Sequence, residues 1–300
     1  MPKTKKGPSP LIVILIALIL CAAAVLVKTI QISRPYMDAS EDPELVIRST
    51  QPPDTQPTES GEIDPYLVPV PYPEANPHGP RDFQFHGRYL TSLRCDSIPG
   101  IDVSAYQGDV NWNEVAASGI EFALVRVGYR GYGTGKIVED AYGRENLRDA
   151  NLAGLKVGAY FFSQALNIEE VEEEVEFLLN IIKDYEITMP VVFDWEYVND
   201  TARTAGMDPR TLTDLNLHFC KLMEQAGYQP MLYFNSHQAR TLMYLYELED
   251  YPFWLAYYNT RMNFPHRFEM WQYTCTGRVP GIKGDVDINI LLLDQELRPE

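Results

Sequence analysis

From residue 98 to residue 248 the sequence repeats one unit, a short apolar run followed by an amphipathic run. Residues 98–104 read as a strand, and 110–118 as a helix stopped by Gly119. Residues 122–127 and 156–163 are the next strands, separated by a helix over 139–153 that closes at Gly154. Asn167 caps a helix to Tyr185, and residues 189–197 carry the fourth strand. Thr213 opens a helix to Gln225, ended by Gly227, before a strand over 229–235 and a helix over 237–248. Strand-like runs at 253–257, 268–274 and 286–291 complete eight strands. Alternation of this kind confines the chain to a parallel α/β fold, an open sheet or a barrel. Eight strands with the chemistry at their ends favour the barrel.

The fourth strand is the most informative. Met189-Pro190-Val191-Val192-Phe193 is an apolar run that leads into Asp194-Trp195-Glu196. Such a run suits a strand buried on both faces. Side chains alternate along a strand, so Asp194 and Glu196 share a face, with β-carbons roughly 6.5–7 Å apart. Two carboxyl groups so placed can perform general acid chemistry on an acetal.

Polar residues also gather where the other strands end. Asp102 and Ser104 close the first strand, Tyr160 and Ser163 the third, and Tyr233 and Asn235 the fifth. Later strands supply Trp254 and Tyr257, then Trp271 and Gln272, then Asp285, Asp287 and Asn289. In a parallel barrel these ends share one mouth. Carboxylates and aromatic rings together suit a sugar, the rings stacking on pyranose faces. Trp195 and Phe193 are expected in the core instead, as is the thiol of Cys220. The run Glu169–Glu176 is expected to be a solvated helix face, with Val171, Val175 and Leu178 turned inward.

Several motifs resemble those of family 25 glycoside hydrolases, the lysozyme-like muramidases. Gly100-Ile101-Asp102-Val103-Ser104, with Gln107-Gly108 and Val110-Asn111-Trp112, is similar to the family's opening. Gly158-Ala159-Tyr160-Phe161-Phe162, Asp194-Trp195-Glu196, Trp271-Gln272-Tyr273 and Val286-Asp287-Ile288-Asn289 follow in the family's order. The resemblance spans residues 98–293. It implies an irregular TIM-like (β/α) barrel with few helices after the later strands, in keeping with the helix-poor sequence after Tyr251. It also implies hydrolysis of the β-1,4 bond between N-acetylmuramic acid and N-acetylglucosamine in peptidoglycan, without metal or organic cofactor. Glu196 then corresponds to the general acid, its proton held by the neighbouring Asp194 charge. Asp194 assists, either by orienting the substrate acetamido group or by acting as nucleophile or base. Asp102 and Asp287 match the family's supporting carboxylates, and Tyr106, Tyr160, Tyr233, Trp254, Trp271 and Gln272 are the expected sugar-binding residues. A glycan-holding module without turnover and a chitinase-type hydrolase are the rival readings.

Composition changes along the chain. Residues 11–27 are apolar, with Lys3, Lys5 and Lys6 before them and Lys28 and Arg34 after. At 1.5 Å per residue they reach roughly 25 Å, the short end of a membrane span. The lysines place residues 1–10 in the cytoplasm and the remainder outside. A signal peptide cleaved at Ala22-Ala23-Ala24, giving a secreted protein, is the alternative. Residues 28–94 are rich in proline and acidic and polar residues and read as an extracytoplasmic spacer, with the hydrolase barrel at 95–300. The net charge of −17 opposes binding to nucleic acid or to anionic headgroups. Four cysteines and five histidines show no metal-ligand spacing, although Cys95 and Cys275 are candidates for a disulfide outside the cell.

Overall fold

In a computed structural model, residues 73–293 are described. The expected cytoplasmic segment (1–10), anchor (11–27) and most of the spacer lie outside them. Among the described residues no helix is long and apolar enough to cross a membrane.

A hairpin comes first, β1 (Phe83–His86) and β2 (Tyr89–Ser92), in the stretch read as spacer. Phe83 meets the Trp271 ring edge-on at 5.1 Å, and buried His78 lies against Phe83 and Phe268. The boundary placed at residue 95 therefore moves upstream. Apolar side chains dispersed among prolines were enough to dock this segment.

The barrel strands are β3 (Ser97–Val103), β4 (Phe122–Arg130), β6 (Lys156–Ser163), β7 (Val191–Trp195), β8 (Pro230–Asn235), β9 (Phe253–Ala256), β10 (Met270–Gly277) and β11 (Val286–Leu292). They pair in that order, and β11 returns to β3 to close an eight-stranded barrel. A short β5 (Ile137–Glu139) extends the sheet beside β4. Seven strands run parallel, but β11 is antiparallel to both neighbours. A parallel eighth strand was expected. Only residues 278–285 separate β10 from β11, too few for a crossover, so the pair forms a hairpin.

Alternation sorts the strands into two cores. Phe122, Leu124, Tyr160, Val192, Met231, Tyr233 and Trp254 fill the barrel. Val125, Val157, Phe161, Val191, Phe193 and Leu232 face outward toward the helices. Glycines make room inside: a β-carbon on Gly100 would lie 2.3 Å from the Phe122 ring. On Gly158 it would lie 2.4 Å from the Pro190 carbonyl.

The helices are α1 (Trp112–Ala117), α2 (Gly143–Leu152), α3 (Ile168–Ile182), α4 (Pro209–Gln225) and α5 (Ser236–Thr241). Asn167 caps α3 through a bond from the Glu170 amide, as its position predicts. α4 starts at Pro209 behind an Asp208 cap, one turn before Thr213. Among the described residues no α-helix follows α5, so the later strands are joined by loops and one 3-10 turn. On α3 the acidic run is solvated except at Glu170, half-buried against Arg203, and at Glu174, which is 2% exposed. Residues 171, 174, 175 and 178 form one helical stripe, so Glu174 must enter with its apolar neighbours. It meets Arg130 at 2.6 Å. Burial, opposed by the Arg130 charge and by hydrogen bonds from Ser163 and Arg130, pushes its carboxyl up to about 7.

Candidate active site

The mouth of the barrel is built where the parallel strands end. Asp102 and Asp287 are register partners on β3 and β11. Directly opposed residues carry their β-carbons about 4.5–5.5 Å apart on one face. Asp287 reaches this mouth because β11 runs backward, placing its start beside the ends of the others. Asp285 precedes the strand and pairs with exposed Arg278 at 2.9 Å.

Asp194 lies within β7, in register with Phe162 and Tyr233, and Glu196 follows the strand's last residue. Asp102, Asp194, Glu196 and Asp287 are all buried, none more than 6% exposed. Their convergence registers on Tyr233. Burial, then the charges of Glu196, Asp194 and Asp102 with the neighbouring Tyr258, holds its hydroxyl well above its ordinary range. Tyr233 therefore stays a hydrogen-bond donor.

It donates to Gln272 Oε1 at 3.1 Å, and Tyr258 donates to the same oxygen at 3.0 Å. Two donors on Oε1 fix the amide, so Gln272 Nε2 turns to Asp102 Oδ2 at 2.9 Å. From the other side the Trp254 indole donates to Asn289 Oδ1 at 2.8 Å, and Asn289 Nδ2 donates to Asp102 Oδ2 at 2.8 Å. Both chains deliver a proton donor to one carboxylate oxygen, the arrangement an ionised Asp102 requires. Gln272 is thus occupied in holding Asp102.

Tyr160, Tyr233 and Trp254 are brought together, with Trp254 edge-on to Tyr160 at 6.1 Å and to Tyr233 at 4.7 Å. All three are at most 5% exposed, so they form the floor of the mouth. Trp271 is turned away. Its indole donates to the Tyr257 carbonyl at 2.7 Å, and its ring packs in the outer core. Period two along β10 decides this: with Gln272 inside, Trp271 must face out. Tyr106 lies in a 3-10 turn just past β3 and is 47% exposed.

The backbone that carries the two carboxylates is gripped from both sides. Gln238, on α5, donates to the Trp195 carbonyl at 2.5 Å. Gln164, just past β6, donates to the Glu196 carbonyl at 2.7 Å and to the Ser163 carbonyl at 2.9 Å. Both glutamines are fully buried. Thr204 donates to Gln164 Oε1 at 2.8 Å, and Arg203 ties the same loop to Glu170. The Trp195 indole donates outward to the Ala165 carbonyl at 3.1 Å, directing its neighbours Asp194 and Glu196 to the opposite face. Where the ladder ends, side-chain amides thus replace strand partners.

These amides, Tyr258 and a buried Arg126–Asp140 pair at 2.8 Å escaped the sequence reading. Signals existed. Asn235 and Gln238 form a capping box at the end of β8, and Arg126 is the one charge within the apolar run 122–127. Gln164 had only its position after a strand. Among the described residues no group of three or more His, Cys, Asp or Glu could hold a metal ion. Cys95, Cys220 and Cys275 are thiols, and Cys95 and Cys275 form no disulfide.

Comparison with known proteins bears on this geometry. The family model described as glycosyl hydrolases family 25 matches residues 101–282. Lysozyme M1 of Streptomyces globisporus is 28% identical over 213 residues, covering 67% of this chain and 70% of that protein. The autolytic lysozyme of Clostridium acetobutylicum is 25% identical over 194 residues, covering 64% of this chain and 55% of that one. The modular autolysin LytC of Streptococcus pneumoniae, solved with a synthetic peptidoglycan ligand, superposes with a TM-score of 0.56 at 27% identity. That match covers 65% of this chain and 46% of the autolysin, so the present chain spans about half of that larger protein. From the matched residues and the barrel they build, the chain belongs to glycosyl hydrolases family 25 and is a glycoside hydrolase.

Proposed function

We propose that this protein cleaves the β-1,4 bond between N-acetylmuramic acid and N-acetylglucosamine in peptidoglycan. The observation that carries the reading is the placement of Asp194 and Glu196 at the end of β7, both buried beside Asp102 in the floor of one mouth. Lysozyme M1, the autolytic lysozyme and the ligand-bound autolysin support peptidoglycan as the substrate class.

In this reading Glu196 is the general acid. Burial next to Asp194 disfavours a second charge, the environment in which a carboxyl keeps its proton for a departing glycosidic oxygen. Asp194 orients the acetamido group on the muramic acid side of the bond. Its carbonyl oxygen then bonds to the anomeric carbon as the glycosidic bond breaks and Glu196 gives its proton to the leaving oxygen. Water opens the cyclic intermediate and returns a proton to Glu196. Asp102 and Asp287 support this pair, and Tyr106 at the rim offers an exposed ring to a sugar face. Residues 11–27 tether the enzyme to the membrane, and the proline-rich segment holds the barrel outside it.

The test is product identification. The full chain and its Glu196→Gln variant are incubated with purified peptidoglycan, and soluble fragments are analysed by mass spectrometry. Fragments ending in reducing N-acetylmuramic acid, absent with the variant, support the reading. Fragments ending in reducing N-acetylglucosamine, or identical products from both proteins, overturn it.

A further inference from the structure

We propose that a cavity beside the mouth is a subsite for the carboxylate-bearing peptide stems of peptidoglycan, an inference that rests on the substrate reading above. The cavity measures about 680 Å³ and lies between the β1–β2 hairpin, β10 and the loop after β9. Phe85, Tyr258 and Tyr273 form its apolar walls, while Arg88 and Arg278 supply two guanidinium groups. None of the residues that line it is acidic, in a chain whose net charge is −17. A concentration of positive charge against that background selects an anionic ligand.

Its position selects which anion. Tyr258 lines the cavity, and its hydroxyl reaches Gln272, which holds Asp102 at the mouth. Tyr258 is therefore the shared wall between cavity and mouth. A muramic acid seated in the mouth carries its peptide on the lactyl group, and a peptide leaving the mouth past Tyr258 enters the cavity. Guanidinium forks suit the stem's carboxylates, and the threonine and asparagine side chains of the wall suit its amides. Arg278 is paired with Asp285, but the guanidinium is 68% exposed. Exposed pairs of this kind are weak and leave donors for a second carboxylate.

The wall is fixed before any ligand arrives. Phe85 meets Tyr273 edge-on at 6.2 Å, and Phe83 anchors the same strand on Trp271. The hairpin precedes residues 101–282, so it lies outside the part that matches the family model. The subsite is thus built by joining a segment outside the family match to the rim of the family's barrel.

The experiment uses the full chain and a double variant, Arg88→Gln with Arg278→Gln. Both side chains are exposed and lie outside the catalytic machinery, and circular dichroism verifies that the variant is folded. Binding of a synthetic tetrapeptide stem with free carboxylates is measured by calorimetry, beside the same peptide with its carboxylates amidated. Cleavage is measured on glycan strands with intact stems and on strands from which an amidase has removed them. The proposal predicts saturable binding of the free-acid peptide, weakened about tenfold by amidation or by the double substitution. It also predicts a higher KM for the variant on stem-bearing strands, with kcat unchanged and no effect on stripped strands. Absence of peptide binding, or equal binding to wild type and variant, overturns the subsite. Peptide binding without cleavage of either strand supports the subsite and overturns the hydrolytic reading.

Discussion

Gln164 offers a direct test of how the fold positions its acid. Replacement by methionine preserves length and volume but removes the amide. Three polar groups lose a partner: the carbonyls of Glu196 and Ser163, at 2.7 and 2.9 Å, and the Thr204 hydroxyl, at 2.8 Å. A buried polar group left unsatisfied costs about 1–3 kcal/mol. With some relief from relaxation and from other acceptor contacts, the expected loss of stability is about 2–4 kcal/mol. In a domain of this size that lowers Tm by roughly 5–15 °C. The effect on chemistry is separate. Gln164 is the side chain that fixes the Glu196 backbone beyond the ladder, and a displacement of about 1 Å at a reacting group costs on the order of 100-fold in rate. Gln164→Met is therefore expected to lower kcat about 100-fold while KM changes little. The assay is steady-state release of reducing ends at 25 °C, corrected for the folded fraction by circular dichroism. Thr204→Val, which breaks only the outer link, should lower kcat by about tenfold or less. A folded Gln164→Met enzyme with wild-type kcat would refute the reasoning.

Three further outcomes follow from the same contacts. Asp102→Ala leaves Gln272 Nε2 and Asn289 Nδ2 facing each other without an acceptor, so a loss of about 2–5 kcal/mol in chemical denaturation is expected, with activity abolished. Burial, moderated by Asp82, lowers the pKa of His78 below its ordinary value, and Arg94 lowers it further. A depressed folded-state pKa means that protonation favours the undocked hairpin, so stability is complete above about pH 6.5 and falls as pH drops below it. Hydrogen exchange across residues 83–92 should accelerate on acidification, and His78→Phe should flatten that response. Burial also raises the Cys220 thiol far above its usual range, so a thiol reagent should modify Cys275, at the surface cavity, and spare Cys220 until the protein unfolds.

The barrel and its acid pair were legible in sequence because both rest on strong periodicities. The expected strand over 156–163 coincides with β6, and Asp194 on β7 and Glu196 one residue past it both come close to Tyr233. Asp287 was placed at the mouth by assuming a parallel strand, whereas the geometry delivers it through a reversed one. Trp271 and Gln272 were both expected to line the mouth, which adjacent residues of a strand cannot do. The β1–β2 hairpin was overlooked because its alternation is short and follows a proline-rich stretch. Even so, Phe83-Gln84-Phe85-His86 before Gly87-Arg88 carries the pattern of a two-residue turn, and Gly87 has a φ of +63°. Gln164 and Gln238 had the weakest signal. Their role depends on which carbonyls the ladder leaves unpaired, and that is a property of the closed barrel.

The central claim is that Glu196 acts as the acid, and leaving-group dependence tests it most directly. The Glu196→Gln variant of the full chain is assayed on peptidoglycan strands and on a dinitrophenyl glycoside of the same sugar, whose leaving group needs no proton. The account predicts a loss of about 100- to 10,000-fold on strands, the usual worth of a positioned acid, and a far smaller loss on the activated glycoside. An equal loss on both substrates, or full activity on strands, would contradict it.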